Sequence, residues 1–477
     1  MKMTIKSLMP LILGVVLLIG GCGKKQAKSS SSWSLDKSGA SAQLKQFIAA
    51  QETQSRALAK QDGKKLPSEF DAFFKAAETG NWQDATNFFG QMRKRLDGDS
   101  SLLGSWWSAT LDAYGVFVVF PPGDKYAIAF GNDIIKSIPD GSVYFGGTDP
   151  GRFAVTALME SHADRKPFFM LSQNPLADAT YLHYLRAMYG GKIHAPTDED
   201  LQKSLQDYMT NVQRRRSHDQ QFPNEPRQLD PGEDVRQDSN GRIQLRSHMA
   251  VIGIRELLTK TIFDKNPDRE FYIEESFPLD WMYPYLEPHG LIMKINRQSL
   301  TGLSDEIVKH DHDYWEKYLA PMIGGWLKPD TTIEEVAAFA EKIYVKRDLS
   351  GFAGDPEFVE SEYSCKMFSQ LRSSIAGLYA WRAQHAADAG EKKRMNDAAD
   401  FAFRQSWALC PYSPEAVFRY VNLLLSEGRT ADAVLIAETA AKMPQLDAEQ
   451  MRSLVTQLKQ QQKEQFQKAK QFFEHYF

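Results

Sequence analysis

The apolar and polar positions change their period twice along the chain. From residue 43 to about 112 the spacing is helical. In "SEFDAFFKAAETGNWQDATNFFGQM", Phe70, Phe73, Phe74 and Ala77 fall on one helical face, "TGN" interrupts, and Ala85, Phe88 and Phe89 mark a second face. Between 113 and 345 short apolar runs alternate with amphipathic segments. "GVFVVF" (115–120), "SVYF", "KPFFMLSQ", "REFYIEES" and "GLIMKIN" read as strands, while "GNDIIKSIPDG", "GRFAVTALMES" and "PLADATYLHYLRAMYG" read as helices. Strands alternating with helices predict an α/β domain with a largely parallel sheet. Within it, residues 212–244 are polar and rich in Pro, Asp, Asn and Gln, which predicts a disordered insertion.

From 350 to the end the helical period returns. "PEAVFRYVNLLLSEGRTADAVLIAETAAKMP" has the layout of a tetratricopeptide (TPR) unit. Gly428 closes its first helix, Ala433, Ala437 and Ala440 occupy the small positions of the second, and Pro444 ends it. "AADFAFRQSWALCP" repeats the second-helix pattern, and the charged segment after it reads as a capping helix. Gly80, Ala85 and Phe89 follow the same spacing near the N-terminus, a pattern shared by any helical hairpin with a glycine turn. The whole chain therefore reads as α/β plus α: a Rossmann-like, largely parallel sheet domain flanked by an N-terminal helical hairpin (43–112) and a C-terminal TPR-like α-solenoid (350–477).

The first 42 residues belong to neither period. "MKMTIKSLMPLILGVVLLIGGCGKK" has Lys2 and Lys6, an apolar run over 8–19 and small residues before Cys22, the pattern of a secretory signal. The run is shorter than the ~20 residues of a membrane span. Ile19, Gly20, Gly21 and Cys22 resemble the bacterial lipobox. That resemblance implies a signal peptide over 1–22, lipidation of Cys22, and a cell-envelope protein anchored without a spanning helix. Gly23 follows the cysteine, with no Asp to act as an inner-membrane retention signal, which favours the outer membrane. Residues 23–42 are rich in Ser, Gly and Lys and read as a flexible tether.

Charge adds an exclusion. With 57 basic and 61 acidic residues the net charge is −4, and nothing in the balance points to nucleic acid. Cys365 and Cys410 can pair in an oxidising compartment or remain as buried thiols, and the sequence leaves both open.

Candidate chemistry gathers at the ends of the strands. "VYFGGTDPGRF" reads as a strand, a glycine turn and a helix that starts at Pro150, with Thr148 or Asp149 as its cap. Gly146 and Gly147 are expected to let the backbone turn sharply. Free amides there could hold an anion, with Arg152 exposed beside it. The spacing, however, is neither G-x-G-x-x-G nor a P-loop, and Asp149 would oppose a phosphate. Asn174 and Asp178 follow the next strand; Glu274, Glu275 and Asp280 follow a third. Asp149, Arg152, Asn174 and Glu275 are the expected ligand-binding set. "KHDHDYW" lacks the H-E-x-x-H spacing, so no metal and no cofactor is expected, and no catalytic signature is complete.

In order and pattern, "IPDGSVYFGGTDPGRF", "FFMLSQNPLADATYLHYL", "PYLEPHGLIMKIN" and the helices after them resemble the soluble region of bacterial protein O-mannosyltransferase-like membrane proteins. The multi-span membrane part in which glycosyl transfer is expected has no counterpart here, so no catalytic residue carries over. The resemblance implies an accessory module. Two functions follow as expectations. One is a lipid-anchored envelope protein whose TPR-like helices bind a protein or peptide without catalysis. The alternative is an α/β domain that binds or processes a glycan or nucleotide sugar.

Overall fold

The computed structural model describes residues 40–120, 125–159, 167–229, 233, 235–237, 243–245, 248–275 and 279–476. Cys22, the signal segment and the tether to residue 39 lie outside the described residues. The chain divides into two compact units, Met1–Trp281 and Met282–Phe477. The architecture is mixed α/β, dominated by helices.

The first unit opens with helices α1 (Ala40–Gln61), α2 (Phe70–Glu78), α3 (Trp82–Gly98) and α4 (Trp106–Val119). Phe70, Phe73, Phe74 and Ala77 are fully buried, as their spacing predicts. Gly80 takes the left-handed conformation (φ 73°) that ends α2. Asn81 then caps α3 by accepting from the Asp84 amide. Rings join the helices: Phe73 lies 5.9 Å from Phe89, and Phe89 stacks on Tyr114 at 3.8 Å.

Residues 115–120 are not the expected strand; Gly115 to Val119 are the last turns of α4 and Phe120 is its C-cap. A short, continuously apolar run fits a buried helix as well as a buried strand. Gly115 decides the packing. A Cβ there would lie 2.2 Å from the Phe153 ring, so the glycine lets that ring rest on the helix backbone.

Helix α5 (Lys125–Ser137) leads into β1 (Val143–Gly146). A π-helical turn (Pro150–Ala154) and α6 (Val155–Leu158) then lead toward β2 (Phe169–Ser172). Helices α7 (Ala179–Tyr189), α8 (Asp198–Gln221) and α9 (His248–Lys265) precede β5 (Phe271–Glu274). Strands β2, β1 and β5 lie side by side and parallel, in register, so Gly146, Ser172 and Glu274 end together. All twelve strand residues are buried, as strands of a covered parallel sheet must be.

The polar insertion is corrected over its first third. Residues 212–221 continue α8, which starts on a Thr197–Asp200 capping box. Beyond it, β3 (Val235–Gln237) and β4 (Ile243–Leu245) pair antiparallel, and residues 230–232, 234 and 238–242 of the insertion lie outside the described residues.

The second unit contains the antiparallel pair β6 (Leu286–His289) and β7 (Ile292–Ile295), turned at Gly290 (φ 62°). Helices α10 (Asp305–Ile323), α11 (Ile333–Ala340), α12 (Pro356–Glu360), α13 (Glu362–Gln384), α14 (Ala389–Leu409), α15 (Pro414–Ser426), α16 (Thr430–Ala440) and α17 (Ala448–Tyr476) follow. Gly428 (φ 74°) ends α15, with the Arg429 amide on the Leu424 carbonyl at 2.8 Å. Ala433, Ala437 and Ala440 are fully buried. Both cysteines are free, buried thiols, so the disulfide alternative is not realised. In "KHDHDYW", Asp311 turns inward and accepts from Arg372 Nη1 at 2.7 Å and from the Tyr379 hydroxyl at 2.8 Å. That run on α10 serves the core of its unit.

Candidate functional site

The three parallel strands end on one line, and the loops after them are stitched together. After β1, the Gly147 and Thr148 amides both donate to Oε2 of Glu274 at 2.7 Å. Glu274 is the last residue of β5 and only 2% exposed. After β2, Gln173 Nε2 donates to the Glu274 carbonyl at 2.8 Å, and Asn174 Nδ2 to the Gly147 carbonyl at 2.9 Å. Glu274 thus supplies, from within the chain, the acceptor oxygen that free amides in a glycine turn would otherwise offer to an outside anion. Burial pushes its carboxyl up to about 7, although the amides of Thr148 and Gly147 pull the other way.

The glycines have a different role from the one expected. Neither Gly146 nor Gly147 has a positive φ. Gly146 is required by proximity: a Cβ there would stand 2.6 Å from Met170 Cε and 2.8 Å from the Gly151 carbonyl oxygen. Gly151 is tighter still, because its Cβ would lie 2.1 Å from Glu274 Oε2. Thr148 is the residue that caps: its hydroxyl accepts from the Gly151 amide at 3.1 Å. Asp149 makes no side-chain capping bond.

Arg152 is buried, not exposed, with 8% of its surface accessible. Its Nε and Nη2 donate to Asp112 Oδ1 at 3.0 and 2.7 Å, and the Tyr184 hydroxyl donates to Asp112 Oδ2 at 3.1 Å. A buried cation needs such a partner. Arg152 lies in a π-helical turn and is buried there, where the sequence predicts an ordinary, exposed first helical turn.

A cleft of about 170 Å³ opens at these strand ends within the first unit. Its walls include Asp149, Arg152, Asn174, Asp178 and Arg255, together with the rings of Phe89, Trp107 and Tyr181. Three of the four expected site residues therefore meet: Asp149, Arg152 and Asn174. Glu275 is buried and does not line the cleft, while its neighbour Glu274 lies under the cleft-lining loop. Glu275 falls just past the last residue of β5, and it is Glu274 whose carboxyl receives the loop amides.

Asp112 and Arg255 were not foreseen. Asp112 is the one charged residue of α4, which in a sequence signals a buried charge pair. Arg255 donates through Nη1 to Asn174 Oδ1 at 3.3 Å, and burial lowers its pKa to about 10. Nothing in its local sequence distinguishes it from a surface arginine of an amphipathic helix. Burial also raises the Asp149 carboxyl, offset in part by Arg152. It raises Asp178 as well, against the Thr180 donors that this cap holds at 2.8 Å.

No family model matches the chain, and no curated protein and no solved structure matches it either. Among the described residues no helix is long and apolar enough to cross a membrane.

Proposed function

We propose that the protein is a lipid-anchored envelope protein whose first unit binds a small organic ligand at the carboxyl ends of β1, β2 and β5. The observation that supports this reading is the cleft itself, where several polar side chains and aromatic rings converge on one opening. In a Rossmann-like sheet, ligands occupy the crevice outside the strand ends. The proposal assigns binding and no catalytic step. Sugars and nucleotide sugars are among the compounds to be tried, because an accessory role in envelope glycosylation is one expectation of the sequence.

The test uses the full-length protein in detergent. It is mixed with a metabolite extract and recovered by ultrafiltration, and the retained compounds are identified by mass spectrometry. Ala179→Trp places a large ring on the cleft wall. A compound retained by the wild type and lost from this variant is the expected result. No retained compound, or equal retention by both proteins, would refute the reading.

Lipidation of Cys22 supplies the anchor in this proposal. Fatty-acid labelling that disappears in Cys22→Ser is expected, and label kept by the variant would refute it. A second reading draws on the second unit, where α15 and α16 meet through fully buried alanines, the close approach that TPR-like helix pairs require. In that reading those helices bind an envelope protein or peptide. Crosslinking from α15 or α16 in intact envelopes should then yield one dominant partner.

A further inference from the structure

Resting on the ligand-binding reading above, we infer that the ligand of this cleft carries a flat aromatic ring, which stacks on the indole of Trp107. Charge does not choose the ligand. Arg93, Arg152 and Arg255 share the wall with Asp149 and Asp178, and burial pushes both carboxyls toward the neutral form. The polar groups of the strand-end loops are largely spent within the protein. The Gly147 and Thr148 amides end on Glu274. Asn174 donates to the Gly147 carbonyl and accepts from Arg255, and the Thr180 hydroxyl donates to Asp178. Ligand hydroxyls that lose water against such a wall regain few partners.

Apolar surface is what the walls share. Phe89, Leu103, Trp107, Leu111, Leu201 and Leu205 line the same cleft. Two of these belong to a ladder of rings. Trp82 and Phe89 of α3 alternate with Tyr114 and Trp107 of α4, in the order Trp82, Tyr114, Phe89, Trp107. Successive rings lie 6.0, 3.8 and 4.9 Å apart and tilt from one another by 15° at most. Each helix contributes two rings at positions i and i+7, which share a face about two turns apart. The ladder stops at Trp107. Its indole carries Phe89 on one face, and Trp106 meets it edge-on at 5.8 Å. Among the described residues no second ring stacks on it, and the side chain is half-buried where it borders the cleft. A planar ligand ring would extend the ladder by one rung, in the stacked geometry that aromatic pairs favour.

Calorimetric titration of the detergent-solubilised full-length protein, against a detergent-matched blank, tests this. The probes are indole and 2-naphthol, which are flat, decahydro-2-naphthol, which has the naphthol skeleton but is puckered, and glucose. At least one flat probe should bind, about tenfold or more tighter than decahydro-2-naphthol and glucose. Trp107→Leu keeps apolar bulk but removes the flat face, and should weaken the flat probe about tenfold, the size of a lost stacking contact. Trp107→Phe should keep most of the affinity, and Ala179→Trp should abolish it. Circular dichroism checks that each variant is folded. Should Trp107→Leu not fold, retention by Trp107→Phe and the preference for flat over puckered probes still decide. Flat-probe binding unchanged in folded Trp107→Leu, or lost in folded Trp107→Phe, refutes the inference. Decahydro-2-naphthol or glucose bound as tightly as the flat probes, and lost in Ala179→Trp, also refutes it while leaving the ligand-binding reading intact. If no probe binds, the aromatic assignment fails, and the metabolite-extract experiment separately decides whether the cleft binds anything.

Discussion

Glu274 gives the most demanding test of the strand-end geometry. It is fully buried, and its carboxyl titrates near 7 instead of at its ordinary value of 4.5. The folded state therefore holds a proton that the unfolded chain has already released between those two values. Stability falls with rising pH wherever the native state binds more protons, so this group destabilises the protein as pH climbs from about 4.5 to about 7. A shift of this size corresponds to about 3 kcal/mol at 1.36 kcal/mol per unit. Glu274→Gln removes the titration while keeping a carbonyl oxygen for the Gly147 and Thr148 amides. The assay is urea denaturation of both proteins at several pH values from 4 to 8, followed by tryptophan fluorescence. Near pH 4 the two should be of similar stability. By pH 8 the glutamine variant should have gained about 3 kcal/mol relative to the wild type. The variant difference isolates Glu274, because groups such as Asp149 and Asp200 titrate alike in both proteins. A difference that does not change with pH, or one that grows in favour of the wild type, would refute the assignment of a buried, proton-retaining carboxyl under the loop.

Arg152→Ala should cost about 3–5 kcal/mol, because it leaves Asp112 as a buried charge without its cation; a fall in melting temperature measures this, and no change would refute the pair. Gly151→Ala should destabilise by ~1–3 kcal/mol through collision with Glu274, read by the same melt, with wild-type stability as the refuting result. Ala437→Leu should overpack the contact between α15 and α16 at a similar cost of ~1–3 kcal/mol, and denaturant titration of the full chain checks it.

Local order and periodicity were legible in the sequence. The stripe of Phe70, Phe73 and Phe74, the glycine stops at Gly80 and Gly428, the buried alanines of α16 and the strands β1, β2, β5 and β7 follow from side-chain period and backbone preference alone. Such signals act within a few residues and need no partner. What failed was local information with two solutions. "GVFVVF" is apolar on every face, so its period does not separate helix from strand, and 212–221 is polar yet continues α8 from a cap fifteen or more residues upstream. The strand-end site was half legible. The sequence located Asp149, Arg152 and Asn174, because connection rules carry those loops to one edge. It could not show that Glu274 rather than Glu275 faces the loop, that Asp112 in a distant helix takes the charge of Arg152, or that Arg255 reaches Asn174. These depend on which side of a strand or helix meets which neighbour across more than 35 residues of chain. Whether a glycine turn receives an outside anion or the chain's own carboxyl group is decided there, by tertiary contact.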